Sequence, residues 1–336
     1  MRRALMTVGR ACCFALALEA GMFSSNAGAA AEKVKISYAE PAADYVGLFM
    51  GIEKGYYAQE GIDVELVRAG GGTAIPALIA GDLQFSTSAS TSISAILKGA
   101  HLKIIYVNED RPDLQLWATQ PSIQSLEDLH DKQVGVITRG DTGEVALRYL
   151  LMKRRLPPDF LAYTPAGPGP GRLAMVASQT LPAALLYWLE AGQIKTDAKF
   201  KHAHLLVDLR QETRMAFNGV VATDQLLAAK PDLVLRFVRS TLKGNAFAKA
   251  HRAETVALLA RYETSTRDSA GAEYDHIVPA IVADGVVPQD IQSTELRLRA
   301  DMLGTAKDGY PPLADVFDFS AVRAARAELL DRGWKP

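Results

Sequence analysis

A regular alternation of strand-like and helix-like segments runs from Lys33 to about Asp208 and limits the folds open to this chain. In the first segment Val34, Ile36 and Tyr38 alternate with polar residues, which is the period of a half-buried strand. Strands are predicted at 64–67, 85–87, 102–107, 134–137, 161–164, 183–187 and 204–207, and helices at 46–54, 70–80, 91–98 and 141–153. This order predicts an α/β fold of mostly parallel sheets flanked by helices.

The chain changes character after Asn218, because helix-like segments dominate from there to the end. Pro231 stands at a predicted helix start, and Ser320 is the predicted N-cap of a helix over 321–330. A length of 336 residues suits two domains. We therefore expect two α/β units followed by a helical tail.

The N-terminal segment has the pattern of an export signal. A positively charged start, a short apolar run over 11–18 and small residues after it predict a secretory signal peptide over 1–29. Cleavage after Ala31 fits equally, and a frayed cytosolic N-terminus is the alternative. The apolar run is shorter than the ~20 residues that span a bilayer, so we expect an exported, periplasmic protein. Cys12 and Cys13 fall in this segment, so the exported part must be stable without disulfides.

The charge balance and the motif content exclude several classes of function. Lys and Arg total 37 and Asp and Glu total 38, so no strong positive field would hold nucleic acid or an anionic membrane. The six histidines are scattered, and no GxSxG, P-loop or HExxH motif is present. The glycine–proline run of 167–171 is predicted to be a loop before a helix at 172–178 and not a cofactor site, since its prolines lack the amide donors that such a site needs. We therefore expect no catalytic residue, no metal and no cofactor.

The most specific motif in the sequence is the stretch Glu53–Leu66. It reads EKGYYAQEGIDVEL and resembles the EKGYF-xxEGLDVEL signature of periplasmic substrate-binding proteins of ABC importers. The branch is the one that includes the sulfonate, nitrate, taurine and thiamine-pyrimidine binders. Further segments resemble motifs of this family in the same order, namely Gly70–Thr73 with Ala80–Phe85, Ser125–Leu129 with Val134–Val136, Trp188–Glu190 and Asn218–Thr223. Gln84, where the family often has an acidic residue, and Leu189 depart from the pattern.

The resemblance implies two lobes with a ligand cleft between them. Residues 32–117 and 219–336 would form the first lobe, and residues 118–218 the second. The chain would cross between the lobes near 114–119 and return near 214–221, and such hinges let lobes close around a ligand. The partners would be a small-molecule ligand and the permease and ATPase of an importer, and the protein would be a monomer.

Candidate ligand-binding residues in the first lobe come from two loops. Gly71, Gly72 and Thr73 open a helix, where free backbone amides and the positive helix end favour an oxygen-bearing anion. A tight turn without a ligand is the alternative. Ser88 and Ser90 belong to a hydroxyl-rich loop after a strand and are candidates for ligand contact, although capping of the next helix explains such a loop equally.

The matching loop of the second lobe lies after a strand and before a helix, where open α/β sheets bind ligands. Its candidates are Thr138, Arg139, Gly140, Asp141 and Thr142. The arginine would bind a carboxylate or sulfonate with two hydrogen bonds, and a solvated surface arginine is the alternative. Either Asp141 or Thr142 is expected to cap the helix that follows.

Aromatic and acidic candidates complete the predicted site. Aromatic side chains provide apolar walls for a ligand, and core packing is the alternative for each; the four candidates are Tyr45, Trp117, Tyr187 and Trp188. Asp44 and Glu190 would take a ligand amine or amide, unless they are helix-end or surface carboxylates. Asn218, at the return crossing, is the last candidate.

These features predict an extracytoplasmic solute-binding protein that captures a small anionic organic ligand and delivers it to an ABC importer. One alternative is an enzyme on the same scaffold acting on a small heterocycle. Some proteins of this fold family are pyrimidine-forming enzymes with a cysteine-rich site, and the lack of cysteine after Cys13 argues against that branch. The other alternative is a ligand sensor for a membrane receptor.

Overall fold

A computed structural model describes residues 30–167 and 169–336 of the protein. The expected signal peptide over 1–29, and both cysteines with it, lie outside the described residues. In the described ranges, no helix is both long enough and apolar enough to cross a membrane.

The predicted alternation of strands and helices is present. The strands are β1 (Glu32–Tyr38), β2 (Ile62–Arg68), β3 (Phe85–Ser86), β4 (Leu102–Glu109), β5 (Leu114–Ala118), β6 (Gln133–Val136), β7 (Ala162–Pro165), β8 (Ala183–Tyr187), β9 (His204–Asp208) and β10 (Asn218–Thr223). The α-helices are α1 (Val46–Glu53), α2 (Tyr56–Gln59), α3 (Gly71–Ala80), α4 (Ala89–Ile96), α5 (Thr142–Lys153), α6 (Gly169–Ser178), α7 (Trp188–Thr196), α8 (Leu209–Glu212), α9 (Asp224–Ala229), α10 (Pro231–Ala250), α11 (Arg252–Tyr262), α12 (Arg267–Ile277), α13 (Gln289–Leu303) and α14 (Ser320–Asp331). Short 3-10 turns occur at Ala43–Tyr45, Glu127–Leu129, Ala198–Phe200, Val278–Ala280, Ala306–Asp308 and Leu313–Asp315.

The strands form two five-stranded mixed sheets, in the orders β2-β1-β3-β10-β4 and β7-β6-β8-β5-β9. Within the first sheet β10 runs antiparallel to β3 and β4, while β1 pairs in parallel with β2 and β3. In the second sheet β5 is the reversed strand. Each reversed strand is the first one after the chain arrives from the other sheet. The predicted α/β fold of two helix-flanked sheets is therefore confirmed, with one reversed strand in each sheet.

Each sheet has an apolar core on both faces, as its alternating side chains require. In the first sheet, Ile36 packs in one buried cluster and Ile104 in another. In the second sheet, Leu116 lies in one cluster and its neighbour Trp117 in a separate one. Burial of both sheet faces explains the nearly continuous apolar strands β4 and β8.

The chain crosses from the first sheet to the second between Glu109 and Leu114, and returns between Asp208 and Asn218. We expected the first crossing at 114–119, but that segment is strand β5, which pairs with β8 along its whole length. The two crossing segments are joined by backbone hydrogen bonds, one of which runs from Met215 N to the carbonyl oxygen of residue 110 at 2.9 Å.

Two helices begin at residues other than those predicted. Ser320 is the first residue of α14 and not its N-cap, since its backbone N–H donates to Asp318 Oδ1 at 2.9 Å. Helix α6 begins at Gly169, three residues before the predicted start at Arg172.

Candidate ligand-binding site

Charged side chains meet where the first sheet ends and the crossings begin. The chain brings them there from four separate segments: Asp44 from the 3-10 turn after β1, Glu109 from the end of β4, Asp113 from the first crossing and Arg210 from the return crossing. Strands β1 and β4 point in the same direction, so their carboxyl ends share one edge of the sheet. This edge is where open α/β sheets bind ligands.

Glu109 is a buried carboxyl group without a hydrogen-bond donor. Its side chain is 1% exposed, and neither carboxylate oxygen has a donor partner among the described residues. The nearest cation is Arg210, whose Nη1 lies 3.6 Å from Glu109 Oε2, which is too long for a hydrogen bond. Nη1 of Arg210 is likewise buried without a partner in the described part of the chain.

Burial and like charge act together on this group of acids. Burial and the adjacent charge of Asp113 raise the pKa of Asp44 to about 7. Burial and the charge of Asp44 raise the pKa of Glu109 well above its ordinary value. Asp44 and Glu109 are thus close enough for each to influence the ionisation of the other.

A small cavity of about 20 Å³ lies beside Asp44. Its polar lining includes Asp44, Thr87, Asn108 and Asn218, and Tyr45 also faces it. The side-chain amide of Asn108 donates to the backbone oxygen of Asp44 at 2.7 Å, which holds the turn against β4. Three predicted site residues, Asp44, Tyr45 and Asn218, therefore meet at one cavity.

Aromatic side chains from both halves of the protein stand beside the acids. Tyr187 ends β8, and its ring lies close enough to Tyr45 for the two hydroxyl groups to interact electrostatically. Trp188 stacks on His276, with 4.8 Å between ring centroids and 15° between ring planes. His276 Nε2 in turn lies 2.8 Å from Asp113 Oδ1. The predicted aromatic residues Tyr45, Tyr187 and Trp188 are thus brought together with the acidic group.

Glu190, predicted to take a ligand amine, already has a cationic partner. Both of its carboxylate oxygens accept from Arg172 Nη2, at 2.6 and 2.7 Å, and one also accepts from the backbone N–H of Tyr187 at 3.1 Å. Arg172 is 2% exposed. A Cβ at Gly169 would lie 2.2 Å from Glu190 Oε1, so the pair is also closely packed. The structure thus gives Glu190 a role in fixing the start of α7.

Two further candidates are buried in cores and not in the cleft. Trp117 is 4% exposed, packs within the second sheet's core, and donates from Nε1 to Gln115 Oε1 at 3.1 Å. Its strand was expected to be the crossing, but it is an interior strand of the second sheet. Ser90 is 1% exposed and its hydroxyl is bonded to Glu295 and Arg299, so it has no free hydroxyl for a ligand.

The glycine-rich start of α3 is only partly free to contact a ligand. A Cβ at Gly71 would lie 2.7 Å from the hydroxyl of Thr91, whereas Gly72 has nothing within 4 Å. The hydroxyl of Thr73 donates to the backbone oxygen of Gly70 at 3.1 Å. Ser88 precedes α4, and its backbone N–H donates to the hydroxyl of Ser86 at 3.2 Å. Ligand contacts by Gly71, Gly72, Thr73 and Ser88 stay predictions.

The second-lobe loop surrounds a buried carboxylate. Asp141 caps α5, as predicted, by accepting from the backbone N–H of Glu144 at 2.8 Å and from that of Thr138 at 3.0 Å. Arg139 Nε and the backbone N–H of Gly140 both donate to Glu144 Oε2, at 3.0 and 2.8 Å. The Arg139 side chain remains 58% exposed. Ligand contacts by Thr138, Arg139, Gly140, Asp141 and Thr142 stay predictions.

Sequence reasoning missed Glu109, Asp113, Arg210 and His276. The available signal was the polar end of an otherwise apolar strand, since Asn108 and Glu109 directly follow 102–107. Charged residues at the carboxyl end of a buried strand are candidates for a site. No comparable signal exists for the histidine, which lies in a helix far along the chain.

The range 42–255, more than half of the chain, matches the family model described as NMT1/THI5 like. The protein therefore belongs to the NMT1/THI5-like family. A search of curated proteins finds no significant match.

Solved structures of three proteins illustrate the likeness of the fold. A protein from Bordetella bronchiseptica RB50 is 18% identical with a TM-score of 0.71, over 89% of this chain and 98% of that one. The periplasmic aliphatic sulphonate-binding protein SsuA of Escherichia coli is 15% identical with a TM-score of 0.67, over 81% and 92%. The desulfurization enzyme DSZB is 14% identical with a TM-score of 0.61, over 90% and 100%. The fold implied by the family resemblance is confirmed.

Proposed function

We propose that this protein is an extracytoplasmic solute-binding protein that captures a small organic ligand between its two lobes. The proposal is supported by family membership and by the similarity of the fold to that of a sulphonate-binding protein. The lobes correspond to the two sheets with their helices, and the ligand enters at the crossing segments. Closure of the lobes buries the ligand, and no reaction follows.

The meeting of Asp44, Tyr45 and Asn218 at one cavity, beside the buried acids at the end of the first sheet, carries this proposal. Burial raises the pKa of Asp44 and of Glu109, and groups with shifted pKa values cluster at functional sites. Asp44, Tyr45 and Asn218 line the adjoining cavity, and Tyr187 and Trp188 approach from the second sheet. These residues supply polar contacts and aromatic walls, which is the usual make-up of a small-molecule site.

Export and delivery form the second part of the proposal. The predicted signal peptide would place the protein in the periplasm, where the ligand-bound form docks on the permease of an ABC importer. Cell fractionation after expression of the full chain tests the location. Stimulation of the importer's ATPase by ligand-loaded protein tests delivery, whereas activation of a membrane receptor without transport would support a sensor.

A binding screen tests the central claim. Thermal unfolding of the purified protein is recorded with sulfonates, taurine, nitrate, pyrimidines, aromatic carboxylates and aromatic amines. A ligand at 100 times its dissociation constant adds about 2.7 kcal/mol of stability. Calorimetry should then give a one-to-one isotherm. If none of these solutes raises the melting temperature, solute binding is contradicted.

The similarity of the fold to that of DSZB makes an enzyme that converts its solute the second candidate function. Incubation of each stabilising solute with the protein, followed by mass spectrometry, distinguishes the two functions. A solute that is recovered unchanged supports binding. A solute that is converted with turnover supports an enzyme.

A further inference from the structure

We propose that helix α13 is a clasp between the two halves of the protein, anchored on the first half and releasable from the second. The first half is the first sheet with its helices, and the second half is the second sheet with its helices. The inference rests on the proposed function, since a clasp matters only where two lobes open and close around a solute. It concerns what holds the lobes together and not the chemistry of the ligand.

A buried ion pair on α13 forms the anchor on the first half. Glu295 and Arg299 are each 1% exposed, and Arg299 Nε lies 3.3 Å from Glu295 Oε1. Arg299 also donates to the hydroxyls of Ser90 and Ser94 on α4, the second at 3.0 Å. Ser90 in turn donates to Glu295 Oε1 at 3.1 Å. Because removal of one partner from a buried, hydrogen-bonded pair is costly, we expect α13 and α4 to move as one body.

The same anchor extends to the return crossing. Glu295 Oε2 accepts from the backbone N–H of Ala216 at 2.7 Å, and Ala216 lies just before β10. Ile291 and Leu296 of α13 pack in the apolar cluster of the first sheet that also contains Ala216. Crossing segments are the places where hinge motion is absorbed in two-lobed proteins. One end of such a segment is therefore fixed to α13.

The contact of α13 with the second half is of a different kind. Leu298 and Met302 are half-buried and pack against the apolar core of the second sheet. A cavity of about 300 Å³ lies beside this contact, where Val145 and Arg148 of α5 line it together with Met302. An apolar contact stabilises in proportion to the area that it buries, and a contact beside a cavity buries less area than a close-packed one. The second half is therefore the side from which α13 separates.

This cavity also brings the predicted ligand loop of the second half next to α13. Arg139 and Gly140, which precede α5, line it as well. Opening of the halves would carry this loop and α5 away from α13, while α13 stays on α4. The open arrangement then lacks the contacts of Leu298 and Met302, so these two side chains shift the equilibrium toward the closed arrangement.

The test measures the distance between the halves in the empty protein. Spin labels are attached at two exposed positions, Glu65→Cys on β2 and Asp159→Cys before β7, in the full chain with Cys12 and Cys13 replaced by serine. Pulsed electron spin resonance gives the distance distribution, and this labelled chain should show a single narrow one. The double variant Leu298→Ala with Met302→Ala should raise the ratio of open to closed molecules about tenfold, because apolar contact is lost.

Met152→Ala is the matched control, since it removes a methionine side chain from α5 that is 48% exposed. Its distribution should equal that of the labelled chain. If the double variant does not fold, as judged by circular dichroism, Met302→Ala alone takes its place. An unchanged distribution in the release variant, or one in the labelled chain that is already as broad, would overturn the inference. The solute screen is a separate measurement, so failure of the clasp leaves solute binding intact.

Discussion

Buried charges in this protein differ in whether they are hydrogen-bonded to their partner. Arg172 and Glu190 form an ion pair through both carboxylate oxygens. Arg299 and Glu295 form a second ion pair through one oxygen, at 3.3 Å, and their side chains are each 1% exposed. Glu109 is equally buried and has no donor among the described residues. Hydrogen-bonded pairs of this kind fix local geometry, whereas Glu109 lies 3.6 Å from Arg210 and, in the described part of the chain, keeps both oxygens without a hydrogen bond.

Removal of Glu190 should therefore affect stability more than a surface substitution does. Glu190→Ala leaves the Arg172 guanidinium buried and uncompensated, and we expect a loss of about 3 kcal/mol in the free energy of unfolding. Urea denaturation measures it. The matched control is Glu65→Ala, which removes an exposed pair with Lys35 and should cost less than about 1 kcal/mol. Equal effects of the two variants would show that the Arg172 pair is not structural.

At the level of elements, the two adjacent glycines at the start of α3 differ in the space around them. A Cβ at Gly71 meets Thr91, and one at Gly72 meets nothing within 4 Å. We expect Gly71→Val to lower the free energy of unfolding by about 1–3 kcal/mol through overpacking. Gly72→Val should change it by less than about 1 kcal/mol, and denaturation curves of both variants test this.

The same pair of variants tests whether the loop contacts ligand. If the amide-rich start of α3 belongs to the site, Gly72→Val should abolish solute binding while the fold survives. Unchanged affinity would remove the loop from the site. The control is the thermal unfolding midpoint of the empty variant, which should match that of the unmodified protein.

Several elements could be predicted from the sequence because their signals are local. The alternation in 33–38 gave β1, and the glycine run at 70–72 marked the start of α3. The reversed strand β5 could not be identified as an interior strand, because its apolar residues fit a crossing as well as a core. Its partners β8 and β9 lie far along the chain, and only pairing with them decides its sheet.

The site was harder to predict than the strands and helices, because it also depends on contacts between distant segments. Asp44, Glu109, Arg210 and His276 come from segments separated by tens of residues, and their significance depends on mutual proximity. Asp44, Tyr45 and Tyr187 were chosen for their side-chain chemistry, and their contact with a ligand stays a prediction. The ion pair of Glu190 with Arg172 and the core position of Trp117 could not be predicted, because neither depends on a local pattern.

At the scale of the whole molecule, Trp188 lies at a contact between the two halves of the protein. It belongs to the helix after β8 in the second sheet, and it stacks on His276 of the late helix α12. Movement of the halves on ligand binding should therefore change the fluorescence of this tryptophan. Trp188→Phe should remove most of the ligand-induced change, while Trp117→Phe, in a buried core, should keep it. A change that survives Trp188→Phe would contradict this coupling.

The pH dependence of stability also belongs to the whole molecule. Burial and like charge raise the pKa of Asp44 to about 7 and that of Glu109 well above its ordinary value, and burial and Glu263 raise the pKa of Glu273 to about 9. In the unfolded chain these acids lose their protons near pH ~4. The folded state thus binds more protons above that value, and its stability falls as pH rises.

We expect the empty protein to lose roughly 2 kcal/mol of unfolding free energy between about pH 5 and about pH 8. Acids with a lowered pKa, such as Glu60 beside Arg239, act in the opposite sense but below this range. Urea denaturation across the range measures the loss. Glu109→Gln should flatten the dependence, because it removes one of the interacting acids, and Glu65→Gln should not. A stability that rises with pH in the unmodified protein would show that the acids at the crossing are already satisfied without a ligand.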